Sequence, residues 1–431
     1  MLLTIIIIIC ALLFFLFLGL PVGFTLLLLS IAGLYLVTGG PEALFAVASI
    51  AFTRVNGVGF MTIPLFVLMA SIINRTGMSR DLFDIASKWL GRLPGGLAQA
   101  TVAGCAAFGA TTGSSVACAL TIGKVALPEM ERFGYGNRMA AGAIAGGGAL
   151  GMLIPPSLSL ITYSVITDTS LGSLFIAAFI PALIIAIMLM IYISLVCTLF
   201  PAQGPKAPPV TWRSKIFALG KTWPLIVLVL GVLGSIYFGI CTATESAAVG
   251  VLVAVVLGIF PYRTLNFGSL FEAAVDAALT TATISFIVYG GFCFGHFFTV
   301  TGIAQYVAEG VVAMNVSPGV ILLMMNLVML VLGCFLDVGS ILLLTMPTFF
   351  PLALSLGFDP VWFGVIAALN LEIAVMTPPF GLNLYVLKNI SKIPLKDIIF
   401  GAMPFASLYA MGLALVAVFP ALAMWLVGTM K

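Results

Sequence analysis

The sequence predicts an all-α polytopic membrane protein made of two inverted-topology repeats, and three observations carry that prediction. Hydrophobic residues make up 62% of the 431-residue chain and charged residues 7%, whereas a globular domain is roughly a quarter charged. Pro155-Pro156 recurs as Pro378-Pro379, 223 positions on, and the same spacing carries Pro128 to Pro351, Gly134 to Gly357 and Pro181 to Pro404. The basic residues, finally, segregate to one side once the crossings are counted.

The composition selects the class. Runs such as Leu2–Leu18, Leu225–Phe238 and Leu322–Leu336 hold almost no charge, and several approach the roughly 20 residues that span a bilayer as a helix. Open sheets leave unpaired backbone in lipid, and these runs are too continuous for barrel strands. Membrane helices remain. The net charge of +3 signals topology and not nucleic-acid binding. The first segment lacks the basic start and cleavage site of a signal peptide and reads as a retained helix. The seven cysteines show no CxxC spacing and read as small hydrophobes. His296, the only histidine, has no evident metal partners.

Taken in order, helices are expected at about 2–19, 22–38, 60–75, 139–166 and 173–200. In the second half they fall at about 223–240, 245–261, 281–299, 360–388 and 397–428. Pro41–Arg54, Ser79–Leu93, Tyr262–Leu279 and Gly302–Met314 mix charge with apolar residues and suit interfacial amphipathic helices. The segments 96–130 and 318–352 each hold two apolar arms around a Gly/Ser/Thr break and read as re-entrant hairpins. The first repeat is then 1–200, with scaffold helices in 1–92, and the second is 223–431. Between them Pro201–Pro209 opens a polar, Pro-rich linker over 201–222. A three-residue slip of the repeat would bring Gly113-Ser114 onto Gly339-Ser340.

That makes ten full crossings plus two hairpins. Five crossings per half invert the second half relative to the first, which the positive-inside rule tests. With Lys206, Arg213, Lys215 and Lys221 in the cytoplasm, fourteen of the 17 basic residues fall inside. Arg54 and Lys431 fall outside and Lys124 lies in a hairpin. Both termini are therefore expected in the periplasm.

The chemistry is concentrated in four breaks, at Ala110–Ser115, Leu153–Ser157, Asp337–Ser340 and Met376–Pro379. A helix broken in hydrocarbon exposes carbonyls and amides that need partners. Freed carbonyls and Ser/Thr hydroxyls suit a small hard cation such as Na⁺, while half-helix N-termini suit an anion. Repeats with interrupted segments in corresponding places point to a secondary transporter. Asp337, in an otherwise apolar run, reads as functional, with helix capping as its alternative. Glu372 either lines a cavity or satisfies a neighbour. Glu245 reads as a cap in Thr242–Ser246, and Lys124 as a residue snorkelling to the interface. Gly142, Gly146, Gly147, Gly148 and Gly151 form a small-residue packing stripe, not a phosphate loop. No Ser/His/Asp set, carboxylate pair or metal cluster supports an enzyme.

At these motifs the chain resembles the large membrane subunit of tripartite ATP-independent periplasmic (TRAP) transporters. The carrying stretches are Thr112–Ser115, Gly148–Ser157, Gly333–Asp337, Gly357–Gly364 and, most specific, Asn370–Gly381. Ala243 departs from the Pro usual in the family before Thr-Glu, and Thr111-Thr112 from the Ser usual ahead of Gly-Ser. The resemblance implies uptake of an organic acid such as a C4-dicarboxylate or sialic acid, coupled to Na⁺, by an elevator in a bacterial inner membrane. It also implies a small membrane subunit and a periplasmic binding protein as partners, both expected as separate chains because this chain begins directly with the first repeat. At residue level the substrate set is Ser114, Ser115, Ser157, Ser340 and Asn383. The Na⁺ set is Thr112, Gly113, Gly151, Pro155, Asp337, Gly339, Thr377 and Pro378. A stand-alone carboxylate carrier and a non-transporting structural subunit are the alternatives.

Overall fold

A computed structural model describes residues 2–40, 42–55, 58–303, 305–306, 309–310, 316–379 and 381–430. Most of the expected amphipathic piece at Gly302–Met314 lies outside the described residues, as does Lys431. What is described is helical. The first half holds α1 (Leu2–Phe17), α2 (Val22–Thr38), α3 (Glu42–Val55), α4 (Thr62–Thr76), α5 (Met78–Leu90), α6 (Gly96–Thr112), α7 (Ser115–Arg132), α8 (Asn137–Leu153), α9 (Leu158–Thr167) and α10 (Leu171–Leu199). The second holds α11 (Trp212–Leu219), α12 (Trp223–Val229), α13 (Ser235–Tyr237), α14 (Ala243–Ile259), α15 (Phe267–Val300), α16 (Pro318–Gly333), α17 (Val338–Ser355), α18 (Pro360–Ala374), α19 (Leu382–Ile390), α20 (Leu395–Val418) and α21 (Ala421–Val427). Among the described residues six helical spans are long and apolar enough to cross a membrane, and five shorter apolar helices accompany them.

The helix bounds repeat the sequence spacing. Both α7 and α17 have 18 residues and begin 223 positions apart. Each ends just before a left-handed glycine, Gly134 at φ 73° and Gly357 at φ 79°, a conformation that only glycine adopts without strain. Pro128 and Pro351 lie inside these helices, and Pro181 and Pro404 lie inside α10 and α20. The three-residue slip is not needed. Ser114 caps α7 and Asp337 caps α17, so the residue matching Ser114 is Asp337 and not Ser340. N-capping needs an oxygen one residue before the helix, and both side chains supply it.

Two other expectations change, and the linker gains detail. It is neither free nor wholly irregular. Trp212–Leu219 is helical, capped by Thr211. Tyr135 donates to Pro205 O at 3.0 Å, and Gly95 N and Gly136 N donate to Gly204 O and Gln203 O. Burial pushes the Tyr135 hydroxyl up to about 12, which keeps it a donor. From Phe267 on, the interfacial piece expected at Tyr262–Leu279 and the crossing at 281–299 are one 34-residue helix, α15. Asn266 and Ser269 close its start in a capping box, and no Pro or Gly breaks the Ala277–Thr283 stretch. At about 1.5 Å per residue it exceeds a bilayer core of about 30 Å. Conversely, 397–428 is divided at Phe419-Pro420 into α20 and α21.

The core sits where α6, α7 and α8 pack together, with α20 across α8. The glycine stripe makes this possible. A Cβ at Gly109 would lie 2.5 Å from the Gly151 Cα, and one at Gly148 would lie 2.7 Å from the Ala119 Cβ. Backbones that close admit no side chain between them.

Candidate functional site

Each break rests on the other break of its own half. Leu158 N donates to Gly113 O at 3.2 Å, and a Cβ at Gly113, where φ is 62°, would strike Pro156 O. In the second half Cys334 Sγ donates to Pro378 O at 3.4 Å, and a Cβ at Gly333 would strike Ala374. Both Pro-Pro bonds, Pro155-Pro156 and Pro378-Pro379, are cis.

Between the two sets of breaks lies a cavity of about 170 Å³. Ser115, Leu158, Val338 and Leu382 line it, and these are the first residues of α7, α9, α17 and α19. Four helix N-termini thus open onto one space. Each brings a partial positive charge that favours an anion, although Leu158 N in α9 is already given to Gly113 O and Asn383 N in α19 to Val375 O. Ser115 Oγ is buried and has no hydrogen-bond partner among the described residues. Asp337 and Gly339 form part of the same wall, which places one carboxylate beside the four N-termini. Among the described residues no Lys, Arg or His lines the cavity.

Of the sequence-predicted residues, Ser115, Asp337 and Gly339 reach the cavity. The others are not among its lining residues. Ser114 Oγ accepts from Ala117 N at 3.3 Å. Ser157 caps α9 and bonds to Met152 O and to Ser159 Oγ. Ser340 is buried and donates to the Asp337 carboxylate, which also accepts from Ser340 N at 3.2 Å. Capping, the alternative held open for Asp337, is therefore part of its role. Thr112 and Thr377 donate back to Phe108 O and Ile373 O, one turn earlier. Gly151 gives room to Cys118. Asn383 is buried, with its amide on Ala145 O at 3.4 Å and its Oδ1 unpartnered. Pro155 and Pro378 belong to the breaks. Glu245 closes a capping box with Thr242, and Lys124 is exposed on α7 away from the cavity.

Sequence reasoning missed Ser159, Thr162 and the α15 wall of Ile284, Ile287 and Val288. The signal for the first two was present, since Leu158, Ser159 and Thr162 share one face of α9 by the three-to-four-residue period. For α15 no local signal exists. Its residues are apolar like any others in the segment.

Four helix starts, with Ser115, Ser159, Thr162 and Asp337, around a small and otherwise apolar space inside an apolar helix bundle define a class: a multi-pass membrane transport protein. The comparisons give the family. Residues 9–422 match the family described as "Tripartite ATP-independent periplasmic transporter, DctM component". The chain belongs to that family; it is a transporter subunit and not an enzyme. It is 34% identical over 408 residues to the C4-dicarboxylate TRAP transporter large permease protein DctM of Pseudomonas aeruginosa, covering 94% of this chain and 92% of that one. It is 32% identical over 406 residues to the sialic acid TRAP transporter large permease protein SiaM of Vibrio cholerae, covering 94% of each. Among solved structures the Alcanivorax borkumensis YdaH transporter shares the fold, with a TM-score of 0.59, 14% identity and 90% of each chain covered.

Proposed function

We propose that this chain is the transporting subunit of a Na⁺-coupled system for an organic acid, of the C4-dicarboxylate or sialic acid kind. The observation that carries the reading is the convergence of the α7, α9, α17 and α19 N-termini on a cavity that also holds Asp337. A carboxylate substrate meets amides and helix-dipole charge, and the cation meets Asp337 and the oxygens of the breaks. Binding one ion favours the other, since each neutralises the other's field in a space of low dielectric. The cavity is smaller than the roughly 300–1,000 Å³ of common ligand pockets, which suits a compact acid held closely or a site closed around it.

In this reading 1–200 and 223–431 are inverted repeats, with hairpins at 96–130 and 318–352 and broken helices at 139–166 and 360–388. Hairpins and broken helices travel as one body against scaffold helices from 1–92 and their second-half counterparts. The small membrane subunit braces that scaffold, and a periplasmic binding protein delivers the acid to the inner-membrane complex, whose termini face the periplasm. The equal helix bounds at 223 positions and the basic asymmetry support this arrangement.

Uptake of radiolabelled acid by the assembled system is the test. Replacing Na⁺ by choline should abolish it, and undiminished uptake driven by a pH gradient would sink the Na⁺ reading. Sidedness is tested by cysteines introduced at 201–222, which should resist an impermeant thiol reagent outside intact cells while positions near Thr167–Ser170 react. The reverse pattern would overturn the inverted-repeat assignment.

A further inference from the structure

Behind the cavity wall, on α18, Glu372 is fully buried and neither carboxylate oxygen has a hydrogen-bond partner among the described residues. Asn370 Oδ1, on the same helix, and Asn383 Oδ1, just past the second break, are buried and unpartnered as well. Their amide groups are committed elsewhere, Asn370 to Asn326 at 2.9 Å and Asn383 to Ala145 O. Asn383 N donates to Val375 O at 3.1 Å, one turn beyond Glu372. This stretch of the second half therefore carries buried acceptors and lacks donors for them.

A bare carboxylate in such a place is not sustainable. Its charge has lost water and gained nothing in return. No ion pair among the described residues includes Glu372; the nearby-element pair Arg138–Asp397 lies at the ends of α8 and α20. The titratable side chains within electrostatic reach are Cys118 on α7 and Tyr409 on α20, and the Tyr409 hydroxyl already donates to Gly146 O at 2.9 Å. Of the other elements packed on α18, α9 offers Tyr163, bonded to Pro360 O at the far end, and α10 offers Tyr192 and Cys197. The segments of α16, α17 and α21 hold no titratable group, but Cys334 closes α16 and Asp337 caps α17, while Lys396 on α20 is exposed at the end marked by Asp397. None of these brings a positive charge to Glu372.

The first half shows that the fold does not require an acid here. At the 223-residue spacing Glu372 corresponds to Ala149, buried within the glycine stripe of α8. A position that packs as alanine in one half and carries a buried carboxyl in the other has been given a task beyond packing.

We propose that Glu372 is a binding site for a monovalent cation, H⁺ or Na⁺, which neutralises its carboxylate inside the bundle. Its part in coupling rests on the transport reading above; its occupancy does not. The deciding experiment uses the purified full chain in lipid nanodiscs, the ions themselves as probes, and infrared difference spectra of wild type and Glu372→Gln. Glutamine keeps the shape and removes the ionisable group.

If the ion is H⁺, wild type in choline shows a protonated-carboxyl band that bleaches as pH is raised, and Glu372→Gln lacks it. If it is Na⁺, adding Na⁺ at fixed pH changes a Glu372 band, and Na⁺ affinity falls by about tenfold or more in Glu372→Gln. The proposal is overturned if wild type shows neither a protonated-carboxyl band missing from Glu372→Gln nor a Na⁺-dependent Glu372 band, that is, if the carboxylate stays ionised and indifferent to both ions. Should the glutamine variant fail to reach the membrane, Glu372→Asp keeps the charge and displaces the band, so the assignment can still be made. No turnover is needed. Loss of Na⁺-coupled uptake in wild type would therefore defeat the transport reading and leave this one to its own result.

Discussion

The turn at Ser114 and the turn at Asp337 occupy the same place in two helix pairs 223 residues apart, yet they are built from different chemistry. In the first half a neutral hydroxyl caps α7, and the helix behind it, α8, is a stripe of glycine and alanine pressed against α6, α7 and α20. In the second half a carboxylate caps α17, and the helix behind it, α18, holds Asn370 and Glu372 in its buried face. The first half is adapted to close backbone approach. The second carries the charge. Equivalent position in a repeat therefore fixes backbone geometry and leaves side-chain chemistry free to diverge.

The comparison is broken most severely at Gly109, whose counterpart at the same spacing is Leu332. Gly109→Leu drives a side chain into the Gly151 backbone, where neither helix can yield. Overpacking of this kind costs about 1–3 kcal/mol or more, and folded protein should be lost from detergent extracts by size-exclusion chromatography. Leu332→Gly, making the second half resemble the first, should leave extractable protein. Equal loss in both would show that the halves pack alike.

Asp337→Asn is next. It keeps the volume and the capping acceptor and removes the charge, so expression should hold while apparent Na⁺ affinity for uptake weakens roughly ten- to a hundredfold, the equivalent of about 1.5–3 kcal/mol. Wild-type Na⁺ dependence in this variant would leave the oxygens of the breaks as the only ligands. Ser114→Ala in the other half removes a neutral cap at a cost of about 0.5–2 kcal/mol. Its thermal midpoint should fall with Na⁺ affinity little changed, and a large affinity loss would make the two turns functionally alike.

The smallest effect is expected at the start of the broken helices. Asp359 caps α18 through Val361 N and Trp362 N, whereas Gly136 precedes α8 without a side-chain cap. Asp359→Gly should cost only a few tenths of a kcal/mol, and a shift in thermal midpoint as large as that of Ser114→Ala would contradict that symmetry.

The sequence by itself determined the class, the breaks and their spacing, because each depends on short-range chemistry. Continuous apolar runs can only be membrane helices, a Pro-Pro pair cannot continue a helix, and Gly134 and Gly357 end helices because only glycine takes their φ without strain. It also held Asp337 between cap and ion ligand and read Glu245 as a cap. It could not align Ser114 with Asp337, since the Gly-Ser pairs matched better by letter than the caps did by geometry. Nor could it tell that α15 runs unbroken through Leu279, because hydropathy marks where charge stops and not where hydrogen bonding does. Tertiary structure alone brought four helix starts to one cavity, set Ile284 and Ser159 in its wall, and left the Glu372 carboxyl without a donor. Those outcomes depend on which helices lie side by side, and adjacency between residues far apart in the chain is decided by packing.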